Sequence, residues 1–277
     1  MSTPNRAMSA GSESADNIKQ CCARLYESDF AKLLLGDSFH PGGLALTERL
    51  GVLLNLGPSS QVLDIASGPG YSAFFLAERF GCQVVGVDYS ELNIERANEA
   101  IASKGLGSRV RFERGDAERL HFEDGSFDAI VCECAFCTFP DKRAAAREFA
   151  RVLLPNGRVS ISDLTRAGTL PKELDSLLAW IACVADAQTV ESYLEYLKSA
   201  GFAVSPAENH DEALLEMVRQ IQGKLLVAEV SSALKKVNLA GIDFASAKQL
   251  ANAAISAIKR HDLGYSLFVC DKASAQM

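Results

Sequence analysis

Two groups of residues have chemistry in their type and spacing: acids around a glycine-rich turn, and thiols. The run Asp64-Ile-Ala66-Ser67-Gly68-Pro-Gly70-Tyr follows a short apolar stretch. A Gly-x-Gly turn between a strand and a helix lets backbone approach a ligand closely. Such a turn can serve a dinucleotide, and Ala73 is small enough for the third fingerprint position. Asp64 argues otherwise, because a carboxylate just before the turn repels a pyrophosphate and suits a cationic sulfonium amino acid. Asp88 ends the next apolar run, where a carboxylate can accept both hydroxyls of a ribose. Asp116 follows the third run, placed to meet an adenine amine. Ala66, Ser67, Tyr89, Ala117 and Glu133 complete the expected ligand set.

The thiols are Cys21, Cys22, Cys82, Cys132, Cys134, Cys137, Cys183 and Cys270. Cys134-Ala-Phe-Cys137 has C-x-x-C spacing, but no second pair follows at the spacing of a structural zinc site. Most of the eight can serve as small core hydrophobes. Two-residue alternation puts Cys132 and Cys134 on one side of a strand, with Cys132 deeper and in the core. Cys134 and Cys137 then fall at the rim and in the loop beyond. Cys183 shares a helix flank with Trp180, as filler of a buried helix or as a thiol lining a chamber. His40 precedes Pro41-Gly42-Gly43 and reads as loop structure or as a base; Tyr26 reads as packing or as a residue closing over the ligand.

These residues need elements to carry them. Short apolar runs at 61–65, 83–87, 110–114, 127–134 and 158–163 alternate with helical patterns at 71–80, 90–104 and 141–153. Strands alternating with helices mean βαβ units and a mostly parallel sheet, with the ligand edge at the strands' carboxyl ends. Helices are expected at 17–35, 44–55, 171–187 and 189–200, a strand at 202–205, a long helical run at 211–258 and a last strand at 264–271. A chain that returns to its sheet at the end is one domain. The expected organisation is a disordered polar tail over 1–16, a helical cover over 17–57, a ligand-binding core over 58–163 and substrate-side helices with the last strands over 164–277. Asp128 is expected to be a strand-entry residue.

The 277 residues carry a net charge of −7 and a pI of about 5.2, which opposes binding held by phosphate neutralisation. Apolar runs stop short of the ~18 residues of a membrane span. The first residues lack a basic patch and apolar core. A soluble, cytoplasmic protein without nucleic-acid or membrane partners is the expectation.

VLDIASGPG, VVGVDYS, GDAERLHFEDGSFDAIV and FARVLLPNGRVSISD fall in the order seen in the class I S-adenosylmethionine (AdoMet) methyltransferases, which this sequence resembles. The resemblance implies an α/β, Rossmann-like, doubly wound seven-stranded sheet with an antiparallel last strand. It also implies AdoMet over the ends of the first, second and fourth strands. Ala66 stands where many members carry glycine, a small cost provided the position is not left-handed. More narrowly, CECAFCTFPDK, SDL and WIACVADA resemble the arsenite methyltransferases. That likeness implies trivalent arsenic held by Cys134 and Cys183, with Cys21, Cys22 or Cys137 as a third thiolate, and thiophilic chemistry suits such a set. The arsenic would arrive as a thiol conjugate, for example of glutathione, and its lone pair would take the methyl without a general base. The Cys-rich C-terminal extension of that group is absent, and ESDFAKLLLGDSFHPGG does not match its usual entry segment. A small organic acceptor (an amine, phenol or quinone-like ring) served by His40 or Glu133 is the alternative. A non-catalytic AdoMet binder or metalloid sensor is a third.

Overall fold

A computed structural model describes residues 19–20, 23, 27, 40–167, 186–233 and 244–273, with the side chains of 230–233 excepted. The strands β1 (Gln61–Ile65), β2 (Gln83–Asp88) and β4 (Phe127–Glu133) are rich in Val, Ile and Leu and are buried on both faces. That is the pattern of a parallel sheet covered by helices on either side. β3 (Val110–Arg114) and β5 (Leu153–Arg166) complete the parallel set. The sheet order is β3-β2-β1-β4-β5-β8-β6, with β8 (Leu263–Lys272) antiparallel to both β5 and β6 (Phe202–Val204). The expected antiparallel last strand is therefore present. An eighth strand, the two-residue β7 (Glu208–Asn209), also pairs with β8, so the seven expected strands gain one short addition.

Local sequence accounts for the helix ends. Tyr71–Phe80 forms α2 between Gly70 and Gly81, both left-handed. Glu91–Lys104 forms α3, capped by the Ser90 hydroxyl on the Asn93 N–H and closed by left-handed Gly105. Lys142–Val152 forms α4, with the Asp141 carboxylate accepting from the Ala144 N–H. Val190–Ser199 forms α5, capped by Thr189. Gly43–Leu53, here α1, packs on α2 ahead of β1. The expected helical run at 211–258 divides into α6 (Asp211–Ala233) and α7 (Phe244–Lys259), packed on one another and on β8.

β5 starts at Leu153, five residues before the expected start at Arg158. Leu153 pairs with Phe127, the register then slips, and Arg158 pairs with Ala129. Asn156 in the slipped segment has φ 65°, a conformation Asn tolerates. Asp128 sits at this slip and accepts from the Gln61 N–H, the structural role expected of it. Strand order reverses between β1 and β4, whose neighbours lie on opposite sides. In open α/β sheets that reversal opens a crevice beyond the strands' carboxyl ends. Among the described residues no helix is long and apolar enough to cross a membrane.

Candidate active site

A cleft lies at that crevice. It is lined by the turn after β1, the ends of β2 and β3, and the segment after β4, with Lys19, Ala23 and His40 closing over it. Of the ten expected cofactor residues, all but Gly70 line it directly: Asp64, Ala66, Ser67, Gly68, Asp88, Tyr89, Asp116, Ala117 and Glu133; Cys134, the expected thiolate, lines it too. Gly70 shapes the turn from behind. Its φ is 87°, and a Cβ there would meet the Phe112 ring at 2.4 Å.

Ala66 corrects an expectation. Its φ is 56°, so the alanine occupies the left-handed conformation in which the missing glycine would have been at ease. Cys134 corrects another. β4 stops at Glu133, and Cys134 has φ 52° while its N–H donates to the Ser162 carbonyl at 2.7 Å. Two-residue alternation therefore does not carry through to Cys134. The left-handed residue turns the chain out of the sheet and leaves Cys134 on the cleft.

The acids occupy distinct surroundings. Asp64 is 2% exposed, and its Oδ2 has no hydrogen-bond partner in the structure. Burial, then the charges of Glu133 and Asp88, hold its carboxyl well above the usual carboxylate range. The Ser67 hydroxyl is likewise buried and unpartnered. Asp88 accepts from the Gly68 and Ser90 N–H groups, both at 2.8 Å. Burial raises its pKa in spite of those bonds. Asp116 accepts from the Glu118 N–H at 2.9 Å and from Lys19 Nζ at 2.7 Å. Lys19 also reaches Glu118 at 2.6 Å. Burial works against the Lys19 charge, but the hydrogen bonds and charges of Asp116 and Glu118 outweigh it and raise the pKa.

Glu133 stands at the centre of a cluster that sequence reasoning did not assemble. Ser72 Oγ donates to its Oε2 at 2.5 Å, and Thr47 Oγ1 reaches its two oxygens at 3.1 and 3.2 Å. His40 Nε2 lies 3.5 Å from Oε2, and its Nδ1 lies 3.3 Å from the Pro41 carbonyl. His40 thus has a carboxylate partner 93 positions away in sequence, at residue 133. The available signal was the Pro41-Gly42-Gly43 turn, which starts α1 and sets Thr47 within its first turns.

The thiols separate. Cys134 lines the cleft. Cys137 is fully buried in a single 3-10 turn, its N–H donating to Asp163 Oδ2 at 2.8 Å, and it is not part of the cleft wall. Cys132 is in the core, where burial and then the charges of Asp163, Asp64 and Glu133 push its thiol well up, so it stays protonated. Cys21, Cys22, Cys183, Tyr26 and Trp180 lie outside the described residues. Among the described residues no three His, Cys, Asp or Glu side chains cluster as a metal site.

This arrangement fits AdoMet. Asp64 Oδ2 and the Ser67 hydroxyl are buried without partners, and buried polar groups ordinarily have them. The acids suit a ligand with a sulfonium and an ammonium.

Residues 56–201 match the family described as a methyltransferase domain. Phosphoethanolamine N-methyltransferase 1 of Arabidopsis thaliana is 34% identical over 180 residues, covering 65% of this chain and 36% of that protein. An arsenite methyltransferase of Halobacterium salinarum is 33% identical over 164 residues, covering 57% of this chain and 41% of that protein. The chain therefore spans well under two thirds of the length of these relatives. Phosphoethanolamine N-methyltransferase 2 of Haemonchus contortus, solved with phosphomonomethylethanolamine and S-adenosylhomocysteine, shares the fold. Its TM-score is 0.75 at 21% identity, over 91% of this chain and 57% of that one. With the sheet order, the cleft at its switch point and a match across more than half its length, the chain belongs to the AdoMet-dependent methyltransferase-domain family.

Proposed function

We propose that the chain methylates a small-molecule acceptor whose accepting atom carries its own lone pair, and that this acceptor is trivalent arsenic held as a thiolate. The observation that carries this reading is Cys134, which the left-handed turn after β4 sets on the cleft wall. A thiolate is the ligand of choice for a soft metalloid. Cys183, with Cys21 or Cys22, would supply further thiolates.

The alternative bases are engaged. Glu133 receives Thr47 and Ser72, and both His40 ring nitrogens face oxygens. An acceptor that needs no proton removed suits such a site. Bound AdoMet supplies an electrophilic methyl group on a sulfonium sulfur. The chain supplies position: Asp88 and Asp116 at the nucleoside end, Asp64 for positive charge, and Cys134 for the acceptor. Positioning and exclusion of water are what an in-line transfer asks of a protein when the cofactor carries the activated group.

The named relatives support a second reading, an amine acceptor, since phosphoethanolamine N-methyltransferases recur among them. One assay separates the two. Purified protein with AdoMet, arsenite and glutathione should form S-adenosylhomocysteine and methylated arsenic together, and Cys134→Ser should remove both. Arsenite-independent turnover on an amine that survives Cys134→Ser would establish the second reading and dismiss the first.

A further inference from the structure

The sheet is not level at its carboxyl edge. β4 stops at Glu133, which pairs with Ser162, whereas β5 runs on to Arg166 with β8 alongside as far as Leu263. At about 3.3 Å per residue this two-stranded overhang rises roughly 13 Å past the end of β4. It adjoins the part of the cleft lined by Glu133 and Cys134, and the Cys134 N–H bonds its base at the Ser162 carbonyl. Register fixes which side chains share a face. Glu133, Ser162 and Leu267 form one row, Leu164 and Tyr265 the next, and Arg166 and Leu263 the last. Alternation puts all three rows on the face from which Glu133 meets Thr47 and His40.

Arg166 ends this face with an unmatched charge. The residue is half-buried, and its Nε is buried with no hydrogen-bond partner. Among the described residues no carboxylate lies within ion-pair distance of it, and the acids of this edge are already engaged. Asp186 holds Lys142, Asp262 holds Arg260 at 2.8 Å, Glu208 holds Arg49 at 2.7 Å, and Asp211 accepts from the Tyr265 N–H at 2.9 Å. His210 lies on the same edge, its N–H on the Tyr265 carbonyl, and its Nε2 is buried with Glu208 no nearer than 3.5 Å. A buried donor on a charged group is costly while it lacks an acceptor. The acceptor that matches a planar guanidinium is an oxyanion, which it can hold through two parallel bonds.

We propose that Arg166 is a specificity-determining residue, which receives a carboxylate or phosphate of the methyl acceptor at the end remote from the accepting atom. The proposal rests on the small-molecule acceptor reading and deepens it. A thiol such as glutathione brings carboxylates to the site, whereas an esterified thiol brings none. Acceptor recognition is then divided between two strand ends: the turn after β4 addresses the accepting atom, and the overhang of β5 addresses the anion.

Two probe pairs that differ in an anionic group test it. One is arsenite with glutathione against arsenite with glutathione diethyl ester; the other is phosphoethanolamine against ethanolamine. Initial rates of S-adenosylhomocysteine formation are compared for the full chain, Arg166→Gln and Arg166→Lys. In the pair that is turned over, the unaltered chain should show about a tenfold lower KM for the anionic member, the scale of one charged hydrogen bond. Arg166→Gln should raise that KM about tenfold and leave kcat and the other member's KM in place, and Arg166→Lys should recover part of the loss. S-adenosylhomocysteine affinity, read by calorimetry, should be the same in all three proteins. Equal KM values for both members in the unaltered chain would overturn the proposal. So would a loss in Arg166→Gln shared by both members or by S-adenosylhomocysteine, which marks a structural prop. If neither pair is turned over, the acceptor reading fails separately and binding decides the site. Glutathione or inorganic phosphate, titrated into the S-adenosylhomocysteine complex, should then bind the unaltered chain and bind Arg166→Gln about tenfold more weakly. Binding of neither, or binding that the substitution leaves unchanged, would overturn the assignment.

Discussion

Ala66 and Cys134 flank the crevice in the same strained conformation, with φ of 56° and 52°. The left-handed region costs an L-residue roughly 1–2 kcal/mol, because Cβ crowds the following carbonyl. Glycine escapes that cost but gives up part of the gain as extra freedom in the unfolded chain. Ala66→Gly should therefore raise stability by about 1 kcal/mol, read as a higher midpoint in thermal or urea unfolding. An unchanged or lower midpoint would show that the surroundings already absorb the strain. The acids and glycines of the loop were legible because each contributes through its own type at its own position. The Glu133 cluster was not legible. Thr47, Ser72 and His40 reach Glu133 from 86, 61 and 93 positions away, and nothing local marks such partners.

At the scale of elements, the segment between β3 and β4 is held by one arginine. Arg151, in the last turn of α4, donates to the carbonyls of Leu120 and Phe122 at 2.9 and 2.7 Å and bonds Glu148 and Asp124. Glu148 in turn accepts from the Leu120 N–H at 2.7 Å. This segment contains Asp116 and Ala117, so the clamp reaches the part of the cleft proposed to hold the nucleoside. Arg151→Met keeps the aliphatic stem and strands two carbonyls. It should cost about 1–3 kcal/mol, the price of unmade bonds to a charged group, and weaken 5′-methylthioadenosine as much as AdoMet. A stable variant with full affinity would show that the segment needs no clamp. Strands and helices here were read from alternation and caps, and their ends mostly agree to within a residue or two. The exceptions are informative. The early start of β5 is a register slip against Phe127, a pairing property that one strand's pattern does not contain. The end of β4 falls only one residue early, at Glu133, and is set by the backbone of Cys134, which side-chain type does not announce.

For the whole molecule, buried Asp64 links the cleft to global stability. Its pKa in the folded chain lies well above the unfolded value, through burial first and neighbouring charge second. Such a group contributes fully below the ordinary carboxylate range of about 4, and its contribution is lost as pH rises through the folded pKa. Asp88 is raised in the same direction. The protein without cofactor should accordingly lose part of its stability on going upward from about pH 4, and Asp64→Asn should flatten that slope. A cationic ligand favours the ionised carboxylate. The rise in melting temperature caused by AdoMet should thus grow with pH in the unaltered chain and stay level in Asp64→Asn. Identical pH profiles for the two proteins would deny Asp64 this role.

The position of β8 bears on how the molecule comes into being. β6 and β7 both reach the sheet through β8, which follows every other described strand in the chain. A growing chain can lay down β1 to β5, and with them the crevice, well before that strand emerges. Until it does, β5 presents an open hydrogen-bonding edge, a template for pairing with other chains. Vectorial synthesis would therefore present the strands of the cleft first and leave the β5 edge open to misassembly until β8 arrives.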